Sequence, residues 1–334
     1  MRSGLVIWTA VCVACAILQA QNPAAQPRFT AKQAELGKKL NAKRLELEKE
    51  IPRQDWAAPA EPFKIMGNLY FVGPRYGESF LLTSPQGHIL IGAAMEKASE
   101  VVKRNIESLG FKMTDIKVIL LNHNHEDQSG GAAYLKAKTG AQVMAGFGEI
   151  PYLEHGTFDR PARLVALSGE AGGAQEAASP RRYPPVKVDR ALFDGDVVRV
   201  GPLRVTVYLI PGHSPTPATF SFTVRDGGRD YKVVDHCCWW SPDDLNGVGY
   251  ITEATARHSF ETFHRLYPVD IYLPSPASAW SGTLNQPSGT LAERIAKLRR
   301  DNKLWVNREI YNEFIAAHEV EFEESLAKSS RSNP

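Results

Sequence analysis

Cysteine is scarce in this chain, and its placement excludes a fold held together by a disulfide framework. Only four of the 334 residues are cysteines, and two of these, Cys12 and Cys15, lie within the first twenty residues. The other two, Cys237 and Cys238, are adjacent and cannot join distant segments. Three interpretations of this pair stay open: buried small apolar residues, a strained disulfide between neighbours, or one metal ligand with its neighbour.

An excess of charge of one sign is also absent. The 39 basic and 37 acidic residues leave a formal net charge of +2. Nucleic acids and anionic membranes attract strongly basic surfaces, so this near balance gives no support for either partner. The hydrophobic content of 43% and the length of the chain allow a large core, in one large domain or two smaller ones.

The apolar run at the start of the chain is too short to span a bilayer comfortably. Arg2 precedes the apolar residues 5–18, and small and polar residues follow. This order is typical of a secretory signal peptide. We predict that residues 1–20 are a signal, cleaved after Ala20 or alternatively Ala25, which leaves a periplasmic or secreted chain without a stable membrane span. An uncleaved anchor is the alternative.

The mature chain shows two kinds of sequence pattern. Residues 21–62 are predicted to form an exposed amphipathic helix, over 30–50, followed by an extended linker. From 63 to 328, strands alternate with helices, which indicates α/β layers; residues 164–185 form a Gly- and Ala-rich loop, and 329–334 a tail. The predicted strands are 63–72, 79–83, 88–92, 116–121, 142–145, 191–193, 197–200, 203–210, 218–224, 231–235 and 271–273, and the predicted helices are 96–109, 131–138, 253–266 and 303–328.

A polar cluster follows directly on the apolar strand that ends at Leu121. His123 and His125 are two residues apart, so in an extended segment their imidazoles leave the same face, and Asp127 has the same parity. Two imidazoles and a carboxylate at the end of a strand are typical of a zinc site that keeps an open position. The alternative is a polar loop without a metal.

A second buried strand ends in the same way. Pro211-Gly212-His213 follows it, and His213 would complete a set of three imidazoles that leaves zinc one position for water. Zinc lowers the pKa of such a water from about 15.7 to about 7, which makes hydroxide available at neutral pH. Three unrelated loop histidines are the alternative.

Several stretches resemble the metallo-β-lactamases of subclass B3. The resemblance covers residues 30–328, nearly all of the mature chain, and is carried, besides the histidine motif, by PFKI (62–65), NLYFVG (68–73), TSPQGHILI (83–91), LGF (109–111), YPPVKVD (183–189) and PGHSP (211–215). It implies an αββα sandwich, a secreted or periplasmic location, zinc, and hydrolysis of β-lactams.

The chain departs from this family at the second zinc site. Gln128 stands where the family motif has its last histidine, Pro276 where a later histidine is expected, and Gly92 where an aspartate is usual. The first site, with His123, His125 and His213, is therefore expected to be intact. The second keeps Asp127, and Cys238 lies about where other metallo-β-lactamases have a cysteine ligand.

The histidine set predicts a zinc hydrolase, and the resemblance implies a small-molecule substrate, a β-lactam or related cyclic amide or ester. One zinc is firmly expected and a second is left open, with Asp127 and Cys238 as its candidate ligands. Without the second ion, Asp127 is expected to orient the nucleophile or carry its proton to the leaving nitrogen, and β-lactamase activity is expected to be weak or narrow. The alternatives are a hydrolase of lactones or other esters on the same fold, and a zinc-binding protein that does not catalyse.

Overall fold

The computed structural model describes residues 31–32, 35, 38–39, 42, 56–75, 77, 79–157, 183–236, 238, 250–274 and 291–332. The predicted signal peptide, Cys237 and Pro276 lie outside the described residues, as do residues 158–182, which hold most of the predicted glycine-rich loop.

The first sheet has seven strands, and their order across the sheet, β1-β2-β3-β4-β5-β6-β7, follows their order in the chain. The pairs from β1 to β4 are antiparallel and those from β4 to β7 are parallel, so β4 to β7 all end at the same edge. The strands are β1 Phe63–Met66, β2 Leu69–Phe71, β3 Phe80–Leu82, β4 His88–Ile91, β5 Ile116–Leu121, β6 Gln142–Gly146 and β7 Arg190–Leu192.

The second sheet has five strands in the order β12-β11-β10-β9-β8. Strands β8 to β11 form an antiparallel meander, and β12 pairs parallel to β11. These strands are β8 Val197–Val200, β9 Leu203–Leu209, β10 Ala218–Asp226, β11 Arg229–His236 and β12 Ile271–Pro274.

Three apolar clusters show that the sheets pack face to face with helices outside. One cluster contains side chains of both sheets, including Leu120 and Phe220. A second joins the other face of the first sheet to α1 and α3, and a third joins the second sheet to α5 and α7. This is the expected αββα sandwich. The helices are α1 Ser99–Ser108, α2 Glu126–Ser129, α3 Ala132–Thr139, α4 Ile150–His155, α5 Glu253–Leu266, α6 Leu291–Arg300 and α7 Arg308–Ser332.

Strand β5 lies at the centre of the first sheet and is apolar on both faces. Val118 and Leu120 belong to the cluster between the sheets, while Ile119 and Leu121 face the helices. A strand buried on both faces gives a continuous hydrophobic run rather than an alternating one. The observed bounds of β5 are those predicted from this run. The polar cluster after Leu121 therefore emerges at the edge where β4 to β7 end.

Two sequence predictions of elements were wrong. The single strand predicted over 63–72 is a hairpin of β1 and β2, because Gly67 turns the chain with a φ of +54°. The helix predicted from 303 begins only at Arg308, after a short 3₁₀ turn over Asn302–Trp305. It continues to Ser332, beyond the predicted end at residue 328. Helices α2, α4 and α6 were not predicted.

The described positions between 31 and 42 are helical, as the sequence predicts. Lys38 pairs with Glu324 of α7 at 2.8 Å, so this segment lies against the terminal helix. Among the helices described, none combines the length and the apolar character that crossing a bilayer requires.

Candidate metal centre

His123, His125 and His213 converge on one point, as the sequence predicts. One ring nitrogen from each residue lies within 4.8 Å of the others. The ring centroids are 4.5 Å apart for His123 and His125, 4.8 Å for His123 and His213, and 4.6 Å for His125 and His213. Among the described residues, this is the one cluster of three or more His, Cys, Asp or Glu side chains with the geometry to hold a metal ion.

The backbone around His123 fixes the first two histidines. The chain leaves β5 at Asn122, whose carbonyl oxygen accepts a hydrogen bond from Ala218 N at 2.7 Å, so the end of β5 is attached to the start of β10. Ser129 donates from Oγ to the His123 carbonyl oxygen at 2.5 Å. The one-turn helix α2 closes onto the His125 carbonyl oxygen, which accepts from Ser129 N at 2.9 Å.

His213 lies at the tip of the β9–β10 hairpin. Ile210 N donates to the Pro217 carbonyl oxygen at 2.9 Å and closes the loop between them. The loop rests on the end of β6, where a side chain on Gly146 would overlap the Thr216 carbonyl oxygen. The second sheet thus contributes His213 to a site whose other histidines come from the first sheet.

The electrostatics of His123 fit a metal ligand. His123 is completely buried, and neither of its ring nitrogens has a hydrogen-bond partner in the described part of the chain. Burial, with a smaller effect of His125 and His213, holds its pKa well below 6.5, so the imidazole is neutral. A neutral imidazole with unsatisfied buried nitrogens is costly alone but suited to a cation.

A second observation supports the fit. His213 Nε2 lies 2.9 Å from His125 Nδ1. The two nitrogens therefore lie close together beside the ring of His123. Three converging imidazoles form the donor set that protein zinc sites with an open position use.

Asp127 lies beside this cluster rather than within it. Burial raises the pKa of Asp127 to about 6, Cys238 adds to the rise, and His213 opposes it. Gln128 is completely buried. Its amide lowers the pKa of Asp127 but has no well-formed hydrogen bond with any described residue. Asp127 is therefore near the histidines, and its part in a second metal site stays a prediction.

Cys238 is half-buried. It acts electrostatically on both Asp127 and Asp235 and raises the pKa of each, which places it on the same side of the site. Like Asp127, it is not part of the three-histidine cluster.

Sequence inspection missed Glu149, which follows β6 and is completely buried. Its carboxylate accepts four hydrogen bonds, two from Asn124 and one each from Ser214 and Thr216. It also missed Tyr183, which donates to the Asn124 carbonyl oxygen at 2.6 Å. Glu149 stands in no local motif, and Tyr183, although it begins the YPPVKVD stretch (183–189), gave no sign of a contact with the histidine loop.

A cavity of about 660 Å³ lies at the opposite edge of the first sheet. Its lining includes His88 and Phe111, near the starts of β4 and β5, and none of the three clustered histidines. Strand β5, of six residues, spans roughly 20 Å at the usual rise per residue, so this cavity is separate from the candidate metal centre.

Comparison with known proteins agrees with this geometry. The profile described as Metallo-beta-lactamase superfamily matches residues 72–227. The crystal structure of the metallo-β-lactamase SMB-1, in a complex with mercaptoacetic acid, is 30% identical, with a TM-score of 0.65 over 82% of this chain and 99% of that one. A metallo-β-lactamase of Cronobacter sakazakii with an HARLDQ motif is 28% identical, with a TM-score of 0.66 over 84% of this chain and 94% of that one. That motif ends in Asp-Gln, as Asp127-Gln128 does here.

Curated relatives carry a different name. A hydroxyacylglutathione hydrolase of Methylobacterium nodulans is 32% identical over 121 residues, which are 36% of this chain and 34% of that protein. The chain spans about a third to a half of the length of the hydroxyacylglutathione hydrolases it matches. The sandwich, the histidine cluster and the near-complete match to solved relatives agree: the chain belongs to the metallo-β-lactamase superfamily and has the mixed α/β fold of that family.

Proposed function

We propose that this chain is a zinc-dependent hydrolase that opens the amide bond of a β-lactam ring. The observation that carries the proposal is the convergence of three imidazoles around His123, whose buried nitrogens have no other described partner. The near-complete overlap with SMB-1 supports the substrate class, since the match covers 99% of that chain.

His123, His125 and His213 would hold the zinc, and the attachment of β5 to β10 keeps the three side chains together before the ion arrives. Zinc, when bound, supplies a nucleophile from water at neutral pH and polarises a carbonyl group. Asp127 is the group placed to hold a proton and to pass it to the nitrogen that leaves when the ring opens. Its position beside His213 supports this role.

One zinc is proposed as the firm requirement. Asp127 and Cys238 are the candidate ligands of a second, weaker ion, since a carboxylate and a thiolate both bind zinc. Without that ion, no second cation stabilises the charge that develops on the departing nitrogen. We therefore expect turnover of β-lactams to be slow or restricted to few substrates.

A second candidate function is the hydrolysis of a hydroxyacylglutathione. It is favoured by the curated relatives, which carry that name and match up to 49% of this chain. The same three histidines would serve, since the chemistry required at the carbonyl group is the same. The two functions differ in the substrate that the surroundings of the site accept.

The test is a substrate panel for the purified, zinc-loaded mature chain: nitrocefin, a penicillin, a carbapenem, a simple lactone and a hydroxyacylglutathione. We expect kcat/KM to be measurable for at least one β-lactam, and to fall by about a thousandfold or more in His123→Ala. The exposed His258→Ala serves as the matched control and should retain the wild-type rate. Turnover of the hydroxyacylglutathione or the lactone with none of the β-lactams would overturn the first proposal.

A further inference from the structure

We propose that Glu149 is a positioning residue that joins the two loops carrying the histidines and sets their separation before a metal ion binds. This inference rests on the proposed metal site but not on the identity of the substrate. Glu149 contacts none of the three histidines in the hydrogen bonds described; it acts through their chain neighbours.

Each oxygen of the Glu149 carboxylate serves one loop. Oε2 accepts from the backbone N and the side-chain Nδ2 of Asn124, at 2.9 and 2.6 Å. Oε1 accepts from Ser214 Oγ at 2.8 Å and from Thr216 N at 2.6 Å. Asn124 stands between His123 and His125, and Ser214 follows His213, so one rigid group spans the elements that bring the imidazoles together.

The chemistry of the site requires a carboxylate. Two backbone N–H groups, an amide NH₂ and a hydroxyl point at Glu149, and the first three can only donate. An ionised carboxylate is acceptor-only, with room for about four hydrogen bonds. A charge in a completely buried position persists only with such compensation. The site is therefore built for a charged group and not for a neutral side chain of similar shape.

The sharpest substitution is Glu149→Gln, which keeps the shape and exchanges one acceptor oxygen for an NH₂ group. Whichever way the amide is turned, its NH₂ faces a backbone N–H of one loop, that of Asn124 or that of Thr216, which can only donate. That loop loses at least this hydrogen bond and gains a repulsive contact, and the histidines it carries shift relative to the others. Ser214→Ala is the milder variant, since it removes one of the four hydrogen bonds and leaves the charge in place.

The experiment measures zinc affinity of the folded protein by competition with a chelator, together with the visible spectrum after loading with Co²⁺. We expect Glu149→Gln to weaken zinc binding by about 10- to 100-fold, the usual effect of losing a group that orients metal ligands. Ser214→Ala is expected to weaken it several-fold, and the cobalt spectrum should change in Glu149→Gln. The matched control is Glu154→Gln, five residues further along, where the carboxylate is exposed and accepts from Val188 N.

Stability of the metal-free protein, measured by urea unfolding, separates positioning from simple support of the fold. If Glu149→Gln and Ser214→Ala fold and bind zinc with wild-type affinity and an unchanged cobalt spectrum, the inference is wrong, even where the free energy of unfolding falls. If Glu149→Gln does not fold, Ser214→Ala alone decides by the same criterion. Weaker zinc binding in a protein that turns over none of the panel would support the positioning role and reject the proposed function.

Discussion

Among single residues, Asp235 is a buried carboxyl group whose ionisation affects the stability of the fold. Its side chain is completely buried, Oδ2 accepts from Asn122 Nδ2 at 3.0 Å, and Oδ1 has no described partner. Burial raises its pKa to about 7, and the Asn122 hydrogen bond opposes that rise. The carboxyl group is therefore harder to ionise in the folded protein than in the unfolded chain.

This shift predicts a pH dependence of the metal-free protein. Because the folded-state pKa lies above the unfolded value of 3.8, the folded state binds the proton more tightly between about pH 4 and 7. The free energy of unfolding should therefore fall as pH rises from about 4 to about 7. Above pH 7, Asp235 should cause no further decrease. Asp235→Asn removes this titrating group. Between pH 4 and pH 8 its free energy of unfolding should therefore rise by roughly 1–3 kcal/mol relative to that of wild type.

Urea unfolding of the metal-free proteins at pH 5 and pH 8 checks this prediction. Asp230→Asn is the control, since Asp230 is exposed on the same strand and pairs with Arg225. The quantity to compare is the change between the two pH values in each variant. If the free energy of unfolding changes equally between the two pH values in Asp235→Asn and wild type, the burial of Asp235 does not make stability depend on pH.

Residue-level prediction from the sequence succeeded where the signal is local. His123 and His125 share a face because of their spacing after a strand, and His213 follows a second strand in the same way. Glu149 could not be found so, because its partners lie 25 to 67 positions away in sequence. This carboxylate meets its partners only in the folded chain, where the turn after β6 contacts both histidine-bearing loops.

Among the elements, the junction of β6 with the β9–β10 hairpin determines where His213 lies. Gly146 ends β6 directly beneath Thr216, and Gly148 N donates to Thr216 Oγ1 at 2.8 Å. A methyl group at residue 146 would overlap the Thr216 carbonyl oxygen. The close approach of the two backbones is possible because residue 146 has no side chain.

Gly146→Ala should therefore displace the hairpin tip. We expect the free energy of unfolding to fall by about 1–3 kcal/mol, as for other overpacked sites, and zinc binding to weaken. Gly227→Ala is the control: its surroundings are open, but its φ of +56° costs a side chain about 1 kcal/mol. It should lose stability without losing zinc affinity, measured by chelator competition. Wild-type zinc affinity in Gly146→Ala would contradict this account of the junction.

The elements differ in how well the sequence predicts them. Strand β5 was predicted with its observed bounds because its apolar run is bounded by polar residues. The break between β1 and β2 was missed although Gly67-Asn68, which separates the two apolar runs, is a hairpin signal; a side chain at residue 67 would overlap the Arg225 carbonyl oxygen. Helix α6 was missed; it packs against β1, which lies far earlier in the sequence and becomes its neighbour only in the folded chain.

On the scale of the whole molecule, the histidine cluster lies where the two sheets of the sandwich meet. The first sheet supplies His123 and His125, the second supplies His213, and the Asn122–Ala218 hydrogen bond joins their edges. Alternation of strands and helices predicted α/β layers, and the family resemblance predicted the sandwich. The order of the strands was not predictable from patterns alone, because periodicity identifies a buried face but not the strand beside it.

The central claim is that these three histidines form a metal centre, and zinc stoichiometry tests it most directly. Equilibrium dialysis followed by elemental analysis should find at least one tightly bound zinc per wild-type chain and per His258→Ala chain. His123→Ala should lose that zinc while staying folded by circular dichroism. A wild-type chain that binds no zinc, or a folded His123→Ala that keeps it with unchanged affinity, would contradict the account.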